Sequence, residues 1–329
     1  MRAVVTGGAG FIGSHLVERL LADGHSVLVL DNFSTGRPEN LGHLAGEGRL
    51  VVERVDIASE PRLAVLLSGA DWVFHLAALA DIVPSMERPM DYHRANVDGT
   101  VAILEAARAV SIGRFLYTAS SSCYGIPDVY PTPETAAARP QYPYALSKLL
   151  GEQCVLHWGQ VYRMPVVSLR LFNVYGPRSR TSGTYGAVFG VFLAQKLNGR
   201  PFTVVGDGTQ SRDFTFVSDV ADAFVTAAQA TVTGEAFNVG TGAPVAVNRL
   251  VALLGGDVVH VPKRPGEPDR THADVSKIQR QLGWRAKVSI EEGVRILLDN
   301  IEYWRQAPVW TPASIEVATR DWFRYLGKD

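Results

Sequence analysis

The sequence contains little cysteine and almost no net charge. Cys123 and Cys154 are its only cysteines, and they supply neither a disulfide framework nor the spacing of a metal site. Both are expected to be ordinary buried thiols in a cytoplasmic protein, with no bound metal. The 32 Lys and Arg residues are mixed with 33 Asp and Glu residues, for a net charge of −1. This balance argues against nucleic acid and a membrane surface as partners.

Long hydrophobic runs are also missing. No apolar segment approaches the roughly 20 residues that a membrane-spanning helix requires. After Met1 and Arg2 the chain enters the strand-like segment AVVT, which differs from a secretion signal. Apolar residues make up 47% of the 329 residues and charged residues 20%, proportions typical of a globular protein. A chain of this length can bury a substantial core in one large domain or two smaller ones.

Short apolar segments alternate with helical patterns in the first half of the chain. Helical periodicity covers Phe11–Asp23, Arg88–Val110 and Tyr144–Arg163. Near-continuous apolar strands separated by helices are typical of a parallel sheet covered on both faces. We therefore predict an α/β fold with a doubly wound parallel sheet. The predicted strands are 3–6, 26–31, 49–56, 70–77 and 114–120.

A glycine-rich segment follows the first predicted strand. Gly7, Gly10 and Gly13 in TGGAGFIG lie between that strand and the first helix. Glycines at these positions permit a tight turn and let a pyrophosphate approach the backbone, while the helix N-terminus offers N–H groups to the anion. The motif alone is weak evidence for a dinucleotide site, and its position between a predicted strand and a predicted helix strengthens that evidence. We predict a dinucleotide site that includes Phe11 and Ile12.

The ends of later strands supply further candidate contacts. Asp31 ends the second strand, where a carboxylate can bind the adenosine ribose and would repel a 2′-phosphate, so we predict NAD rather than NADP. The alternative for Asp31 is a capping or solvated carboxylate. Asp56 follows the third strand and is a weaker candidate for the adenine edge. The remaining predicted cofactor contacts are Asn32, Ile57, Leu76, Ala77 and Ala78.

Beyond residue 172 the regular alternation stops. A glycine-, arginine- and serine-rich loop over 173–186 is followed by shorter mixed elements, which include a helical pattern over Ile290–Arg305. We predict an NAD-binding, Rossmann-type domain over 1–172, to which segments at about 213–240 and 273–300 return. Residues 173–329 are predicted to form mainly a smaller mixed α/β substrate-binding domain. Its expected place is the carboxyl edge of the sheet, where open α/β sheets bind ligands.

The motifs together resemble those of the extended short-chain dehydrogenases/reductases, specifically the nucleotide-sugar epimerase/dehydratase family. The resemblance runs from residue 1 to about 300 and includes TGGAGFIG, HLAA, Asn96 in NVDGT, and the YALSK segment. It implies that Tyr144 is the catalytic acid and base, and that Lys148 lowers the pKa of Tyr144 and holds the nicotinamide ribose. It also implies that Ser120 binds the substrate hydroxyl and that Asn96 contacts the cofactor. Their spacing puts Tyr144 and Lys148 on one helix face.

The resemblance also indicates the type of reaction. Members begin by removing a hydride from sugar carbon 4 with NAD while the tyrosinate takes the hydroxyl proton. Related 4,6-dehydratases have Asp and Glu directly after the position of Ser120, and related decarboxylases have Glu at the second position. This chain has Ser121 and Ser122 there, which either contact the sugar or cap the strand. We predict 4-epimerisation with tightly bound NAD. Dehydration, decarboxylation and a non-catalytic NAD-binding sensor are the alternatives.

Substrate contacts are implied in the second part of the chain. Asn173, Arg212 and Arg264 occupy positions that bind the substrate diphosphate in the family, and Glu267 occupies the one that meets the uridine ribose. Arginine suits phosphate because its planar fork donates two parallel hydrogen bonds. Thr271 stands where epimerases restricted to plain hexoses have a bulky tyrosine. Both UDP-glucose and UDP-N-acetylglucosamine are therefore expected to fit.

Two further expectations concern the loop after residue 173 and the assembly. Arg178 and Arg180 are candidates for substrate or cofactor contact, although an ordinary loop role is the simpler interpretation. They keep UDP-glucuronate open as a substrate, because they could meet its carboxylate. By family analogy we expect a homodimer that pairs the helices near 92–110 and 142–162.

Overall fold

A seven-stranded parallel sheet lies at the centre of the molecule. The computed structural model describes residues 1–179 and 187–327. In chain order the strands are β1 (Arg2–Thr6), β2 (Ser26–Asp31), β3 (Leu50–Arg54), β4 (Trp72–His75), β5 (Arg114–Ser120), β6 (Val166–Leu171), β7 (Val174–Tyr175), β8 (Phe202–Val205), β9 (Ser211–Arg212), β10 (Thr215–Phe216), β11 (Glu235–Val239), β12 (Val245–Ala246) and β13 (Val258–Val261). The central sheet has the order β3, β2, β1, β4, β5, β6, β11. Its strand order reverses between β1 and β4, the crevice where doubly wound sheets bind dinucleotides.

Helices cover both faces of this sheet, and further helices lie in the later part of the chain. In chain order they are α1 (Phe11–Ala22), α2 (Leu63–Leu67), α3 (Ile82–Glu87), α4 (Pro89–His93), α5 (Gly99–Ala109), α6 (Pro143–Tyr162), α7 (Val188–Leu197), α8 (Val217–Gln229), α9 (Val247–Leu254), α10 (Ser276–Leu282), α11 (Ile290–Asp299), α12 (Pro312–Ala318) and α13 (Arg320–Leu326). Short 3₁₀ turns occur at Pro38–Leu44, Ser121–Tyr124 and Ile301–Trp304. The predicted α/β fold class is confirmed.

The sheet separates two hydrophobic layers. On one face Leu16 of α1 and Phe224 of α8 pack with strand residues such as Val29. On the other face Ile103 of α5 and Val155 of α6 belong to a second cluster of buried residues. Each fully buried side chain of this kind contributes about 1.5–3 kcal/mol. The near-continuous apolar sequence of the strands follows from burial on both sides.

Two predicted helices are interrupted. The pattern over Arg88–Val110 becomes α4, a π-helical turn over Arg94–Asp98 and then α5. The pattern that begins at Ile290 ends as α-helix at Asp299, and a 3₁₀ turn follows. Periodicity could not predict these breaks, because the apolar stripe continues through a π or 3₁₀ turn with only a small rotation.

A third cluster fills the smaller part of the molecule. It includes α7, β8, α9 and α11, and the rings of Phe192 and Phe202 stack within it at 4.8 Å. The predicted division at residue 172 stays a prediction. The structure places β11 beside β6 in the central sheet, so chain from beyond that boundary contributes its outermost strand.

Candidate active site

The glycine-rich turn brings β1 and α1 into close contact. Gly7 has a φ of +69°, and its N–H donates to the Leu30 carbonyl at 2.8 Å. A Cβ at Gly13 would lie 2.2 Å from the Gly7 carbonyl oxygen, so only glycine fits. Gly10 is the N-cap of α1 and no side chain caps that helix. The first-turn N–H groups, which include those of Phe11 and Ile12, have no intrahelical partners and form an anion cradle.

Asp31 lies against this turn and is almost fully buried. Its Oδ2 accepts from the Ala9 N–H at 3.0 Å and its Oδ1 from the Phe33 N–H at 2.8 Å. Burial raises the pKa of Asp31, and these two hydrogen bonds oppose the rise. Each carboxylate oxygen keeps a second lone pair, so the group can still accept from ribose hydroxyls. The glycine cradle and this carboxylate fit NAD.

The other predicted adenine-side residues have local partners. Asn32 is exposed, and its side-chain oxygen accepts from the Ser34 N–H. Asp56 accepts from the Ala58 N–H and pairs with Arg94 at 3.1 Å. Ile57 is buried in the core cluster below α5. Their contact with the cofactor remains a proposal.

The segment after β4 passes close to the glycine turn. The Ala77 nitrogen lies 2.7 Å from where a Cβ of Gly7 would stand, and its N–H donates to the Thr6 hydroxyl at 3.2 Å. Leu76, Ala77 and Ala78 are half-buried. The small side chains of Ala77 and Ala78 and this tight backbone approach suit a ligand in the crevice between β1 and β4.

Asn96 holds this segment in place. Its Oδ1 accepts from the Leu79 N–H at 2.8 Å, and its Nδ2 donates to the Leu79 carbonyl at 2.9 Å and to Ser147 Oγ at 2.8 Å. Asn96 is 1% exposed and lies within the π-helical turn. Its amide therefore connects the cofactor-side loop to α6. The direct cofactor contact implied for Asn96 stays a prediction.

His75 is a buried imidazole at the end of β4. The Thr100 hydroxyl donates to the Asn96 carbonyl at 2.7 Å, so His75 Nε2–H donates to Thr100 at 2.9 Å. The Thr6 hydroxyl then donates to the bare Nδ1 at 2.7 Å. Burial, and secondarily the charge of Lys148, lowers the pKa of His75 from 6.5 to about 3. The native imidazole is therefore neutral.

This network predicts a loss of stability in mild acid. The folded pKa of His75 lies below its unfolded value, so its contribution is complete above about pH 6.5 and is lost as pH falls toward 3. Between pH 7 and pH 5 the loss is expected to be about 2 kcal/mol of unfolding free energy. Urea titrations should show a shallower pH dependence for His75→Gln. His157 is exposed, so His157→Gln should have the same pH dependence of stability as the wild type. Equal pH dependences for the wild type and both variants would contradict the role given to His75.

A hydroxyl cluster forms where β5 meets α6. Ser120 Oγ and Ser122 Oγ lie 2.8 Å apart, and the Ser122 N–H donates to Ser120 Oγ at 3.2 Å. Both serine hydroxyls lie close enough to the Tyr144 hydroxyl to act on its pKa. Burial raises the pKa of Tyr144, and the serine hydrogen bonds work against that rise. Ser121 begins the 3₁₀ turn and is half-buried.

Lys148 lies one turn beyond Tyr144 on α6. It is 4% exposed, and its Nζ stands 4.4 Å from the ring centre of Tyr117. Burial lowers the pKa of Lys148 to about 7, while the charge of Glu152 opposes the fall. Glu152 is itself paired with Arg170 of β6 at 2.6 Å. This buried pair fixes α6 against the sheet and so sets the position of the tyrosine and the lysine.

A second cluster contains the predicted diphosphate ligands. Arg212 Nη2 lies 2.8 Å from Glu267 Oε1, and Arg264 Nε lies 2.9 Å from Glu267 Oε2. We call these three residues the arginine–glutamate cluster. All three side chains are largely buried, with 11% to 24% of their surface exposed. Two guanidinium groups that converge on one carboxylate form a set of hydrogen-bond donors of the kind that binds phosphate.

Thr271 orients Asn173 beside that cluster. Thr271 Oγ1 accepts from the Asp213 N–H at 3.0 Å and donates to Asn173 Oδ1 at 2.7 Å. The Asn173 amide oxygen is thereby turned toward Thr271, which leaves its NH₂ group to face away. The buried Asp213 carboxylate accepts from the N–H groups of Thr241, Gly242 and Ala273 and ties the surrounding loops together.

Arg178 does not join the predicted substrate residues. Its φ is +64°, and its guanidinium contacts Glu18 at 2.5 Å and His15 at 2.7 Å, both on α1. The ordinary loop interpretation therefore fits Arg178. Arg180 lies outside the described residues.

Three residues near the site were missed by the sequence reasoning. The Tyr142 ring lies nearly parallel to that of Tyr144, with 6.3 Å between the ring centres, and the Ser122 side chain slightly opposes the rise in pKa that burial gives Tyr142. Asp81 comes shortly after β4, and its charge adds to the effect of burial in raising the pKa of Tyr144. Its place beyond the carboxyl end of a central strand was a usable signal. Trp322 of α13 contacts Tyr142 from the far end of the chain, and no local pattern indicates it.

Of the two cysteines that were predicted to be buried, only Cys123 is fully buried. Cys123 is buried, which raises its thiol pKa to about 12, whereas Cys154 is only partly buried. Across 1–179 and 187–327, no helix is long and apolar enough to cross a membrane. Within the same ranges, no three His, Cys, Asp or Glu side chains are grouped so as to hold a metal ion.

The sheet order, glycine cradle and Tyr–Lys helix define a dinucleotide-dependent α/β enzyme of the short-chain dehydrogenase/reductase type. Residues 3–240 match the NAD dependent epimerase/dehydratase family, and the chain belongs to that family. NAD is thus its cofactor, and the predicted family membership is confirmed.

Characterised relatives act on UDP-sugars in more than one way. A UDP-glucose 4-epimerase of Mycolicibacterium smegmatis is 38% identical over 303 residues, covering 89% of this chain and 96% of that protein. The structure of a Thermotoga maritima UDP-glucose 4-epimerase with UDP-glucose has a TM-score of 0.85 at 34% identity, covering 93% of this chain and 99% of that one. UDP-glucuronic acid decarboxylase 1 of Arabidopsis thaliana is 35% identical, covering 89% of this chain and 68% of that protein. The family is enzymatic, and its members differ in reaction.

Proposed function

We propose that this protein is an NDP-sugar 4-epimerase that inverts carbon 4 of a UDP-hexose. The observation that carries the proposal is the hydroxyl cluster of Ser120, Ser122 and Tyr144, with Ser121 beside it. A 4-epimerase needs a group that removes one proton and returns it. Elimination or decarboxylation would be aided by carboxylates at 121 and 122, and this chain has hydroxyls there.

The chain's residues divide the work in a simple way. Ser120 holds the hydroxyl of carbon 4, and Tyr144 removes its proton and later returns it. The Lys148 ammonium stabilises the tyrosinate, because a nearby positive charge favours an ionised phenol. Bound NAD, held at the glycine cradle and by Asp31, supplies the hydride acceptor for carbon 4. Between the two hydride transfers the 4-keto sugar rotates within the site.

The arginine–glutamate cluster is the proposed anchor for the nucleotide diphosphate. Arg212 and Arg264 would bind its oxygens, together with the NH₂ group of Asn173, and Glu267 would meet the uridine ribose. Small Thr271 leaves room for an N-acetyl group. UDP-glucose and UDP-N-acetylglucosamine are therefore the first candidates.

The main alternatives are other reactions on the same class of substrate. UDP-glucuronate 4-epimerisation, 4,6-dehydration and decarboxylation share the opening oxidation. The similarity to a plant decarboxylase keeps decarboxylation as the second candidate. A non-catalytic NAD-binding sensor is disfavoured, because it would not need Ser120, Tyr144 and Lys148 together.

A second copy of the chain is the proposed partner. Leu146, Val161 and Tyr162 of α6 are 46%, 51% and 47% exposed, which is apolar surface that a homodimer would cover. The expected cytoplasmic location and the expected absence of nucleic-acid and membrane partners stay predictions.

Product analysis tests the proposed reaction. The purified protein is incubated separately with UDP-glucose, UDP-N-acetylglucosamine and UDP-glucuronate without added cofactor, and products are identified by proton NMR. We expect the 4-epimers of the first two sugars, with no build-up of NADH absorbance. A 4-keto-6-deoxy sugar or a pentose would refute the epimerase. Turnover of UDP-glucose without UDP-N-acetylglucosamine would refute the size argument at Thr271.

A further inference from the structure

The C-terminal helix α13 packs on the loop that carries the arginine–glutamate cluster. Trp322 Nε1–H donates to the Pro265 carbonyl at 2.7 Å. The guanidinium carbon of Arg264 lies 5.1 Å from the centre of the Trp322 ring, within the range of a cation–π contact. A Cβ at Gly266 would lie 3.6 Å from the Leu326 side chain. The helix thus touches three successive loop residues.

Trp322 also contacts Tyr142, the aromatic neighbour of the hydroxyl cluster. Its ring centre lies 6.3 Å from that of Tyr142, which is stacked on Tyr144 with an angle of only 9° between the rings. The Tyr142 phenol is raised in pKa chiefly by burial, and the charges of Glu267 and Arg212 also act on it. One buried indole therefore contacts both the proposed diphosphate loop and the aromatic neighbour of the proposed catalytic tyrosine.

Helix α13 has only seven residues, and it packs on this loop as well as on α3 and α12. An isolated helix of this length is unstable in water, so its packing against the loop holds both in place. Trp322 is 4% exposed, and its single N–H donor is used by Pro265. Phe323 and Tyr325 on the same helix are 39% and 57% exposed. The indole is thus the part of α13 directed at the site.

We propose that Trp322 is a positioning residue of the nucleotide-sugar site, holding Arg264 and its loop in the geometry that receives the substrate diphosphate. This role rests on the proposed function, because it assigns the arginine–glutamate cluster to the nucleotide. Trp322 does not touch the reacting carbon. Its loss therefore acts on affinity for the nucleotide and leaves the hydride and proton steps intact.

Two substitutions separate the contributions of the indole. Trp322→Phe keeps an aromatic face for Arg264 and removes the N–H donor to Pro265, while Trp322→Leu removes both. Phe323→Leu on the exposed side of the same helix is the matched control. UDP affinity is measured by calorimetry on the NAD-loaded protein, together with KM and kcat for UDP-glucose and the NAD content after purification.

We expect Trp322→Leu to raise the Kd for UDP and the KM about tenfold, with kcat within about threefold and NAD content unchanged. Trp322→Phe should fall between Trp322→Leu and the wild type, and Phe323→Leu should equal the wild type. A UDP affinity within twofold of the wild type in Trp322→Leu would overturn the proposal. Equal losses of NAD and UDP would overturn it too, because they would indicate general unfolding.

The same measurements separate this inference from the proposed reaction. A wild-type protein that binds UDP but forms no 4-epimer would refute the epimerase, while a weaker UDP affinity in Trp322→Leu would still support the positioning role. A wild-type protein without affinity for UDP would refute both.

Discussion

Tyr144→Phe is expected to lower kcat about 10³-fold while NAD remains bound. The phenylalanine keeps the ring that packs near Tyr142 and Tyr92 but lacks the hydroxyl that Ser120 and Ser122 contact. Without that oxygen the proposed acceptor of the substrate proton is missing, whereas the glycine cradle and Asp31 are untouched. Steady-state turnover of UDP-glucose and the NAD content of the purified variant are the two measurements.

The neighbouring tyrosine offers a matched control for this substitution. Tyr142→Phe removes a hydroxyl of the same kind, two residues away and beside the same cluster. Tyr142 would act on the reacting atoms only through Ser122, so we expect kcat to fall by less than about tenfold. Equal activities for Tyr144→Phe and the wild type would remove Tyr144 from its assigned role. A larger loss in Tyr142→Phe than in Tyr144→Phe would exchange the two assignments.

Gly13→Ala is expected to abolish most NAD binding and to destabilise the fold. The added Cβ would lie 2.2 Å from the Gly7 carbonyl oxygen and 2.8 Å from the Gly8 Cα, so backbone must move at the junction of β1 and α1. Overpacking of this kind costs about 1–3 kcal/mol. Chemical denaturation and the amount of NAD that copurifies measure the two effects.

The control for Gly13→Ala is the same substitution at an open position. Gly42 is exposed and has no heavy atom within 4 Å of its Cβ position. Gly42→Ala should therefore leave both stability and NAD content near the wild-type values. If Gly13→Ala also retained its NAD, the close packing of the turn would not be what selects glycine there.

The cofactor side could be predicted because its determinants are local. Gly7, Gly10, Gly13 and Asp31 lie within one strand–turn–helix–strand unit, where sequence spacing fixes spatial position. The same holds for Tyr144 and Lys148, which share a helix face. Residue types and periodicity are sufficient to predict such positions when the residues lie one or two secondary-structure elements apart in the sequence.

The substrate side was less predictable because its partners are distant in sequence. Arg178 occupies a loop expected near ligands, but its charge is drawn to Glu18, 160 residues earlier. Trp322 belongs to a helix too short to produce a clear periodic signal, and its proposed role follows from contacts with Tyr142, Arg264 and Pro265. Long-range charge pairing and packing decided both positions, and neither is encoded in a local pattern.

The hydroxyl cluster has a consequence for the direction of the reaction. A phenol and a serine hydroxyl each donate and accept hydrogen bonds, whereas an ionised carboxylate can only accept. Ser120, Ser122 and Tyr144 can therefore exchange their donor and acceptor roles after each proton transfer without another titratable group. In the proposed epimerisation such a site can serve either epimer, and, like any catalyst, it leaves the equilibrium between the two unchanged. The relative amounts of the two sugar nucleotides around the enzyme would set the net conversion.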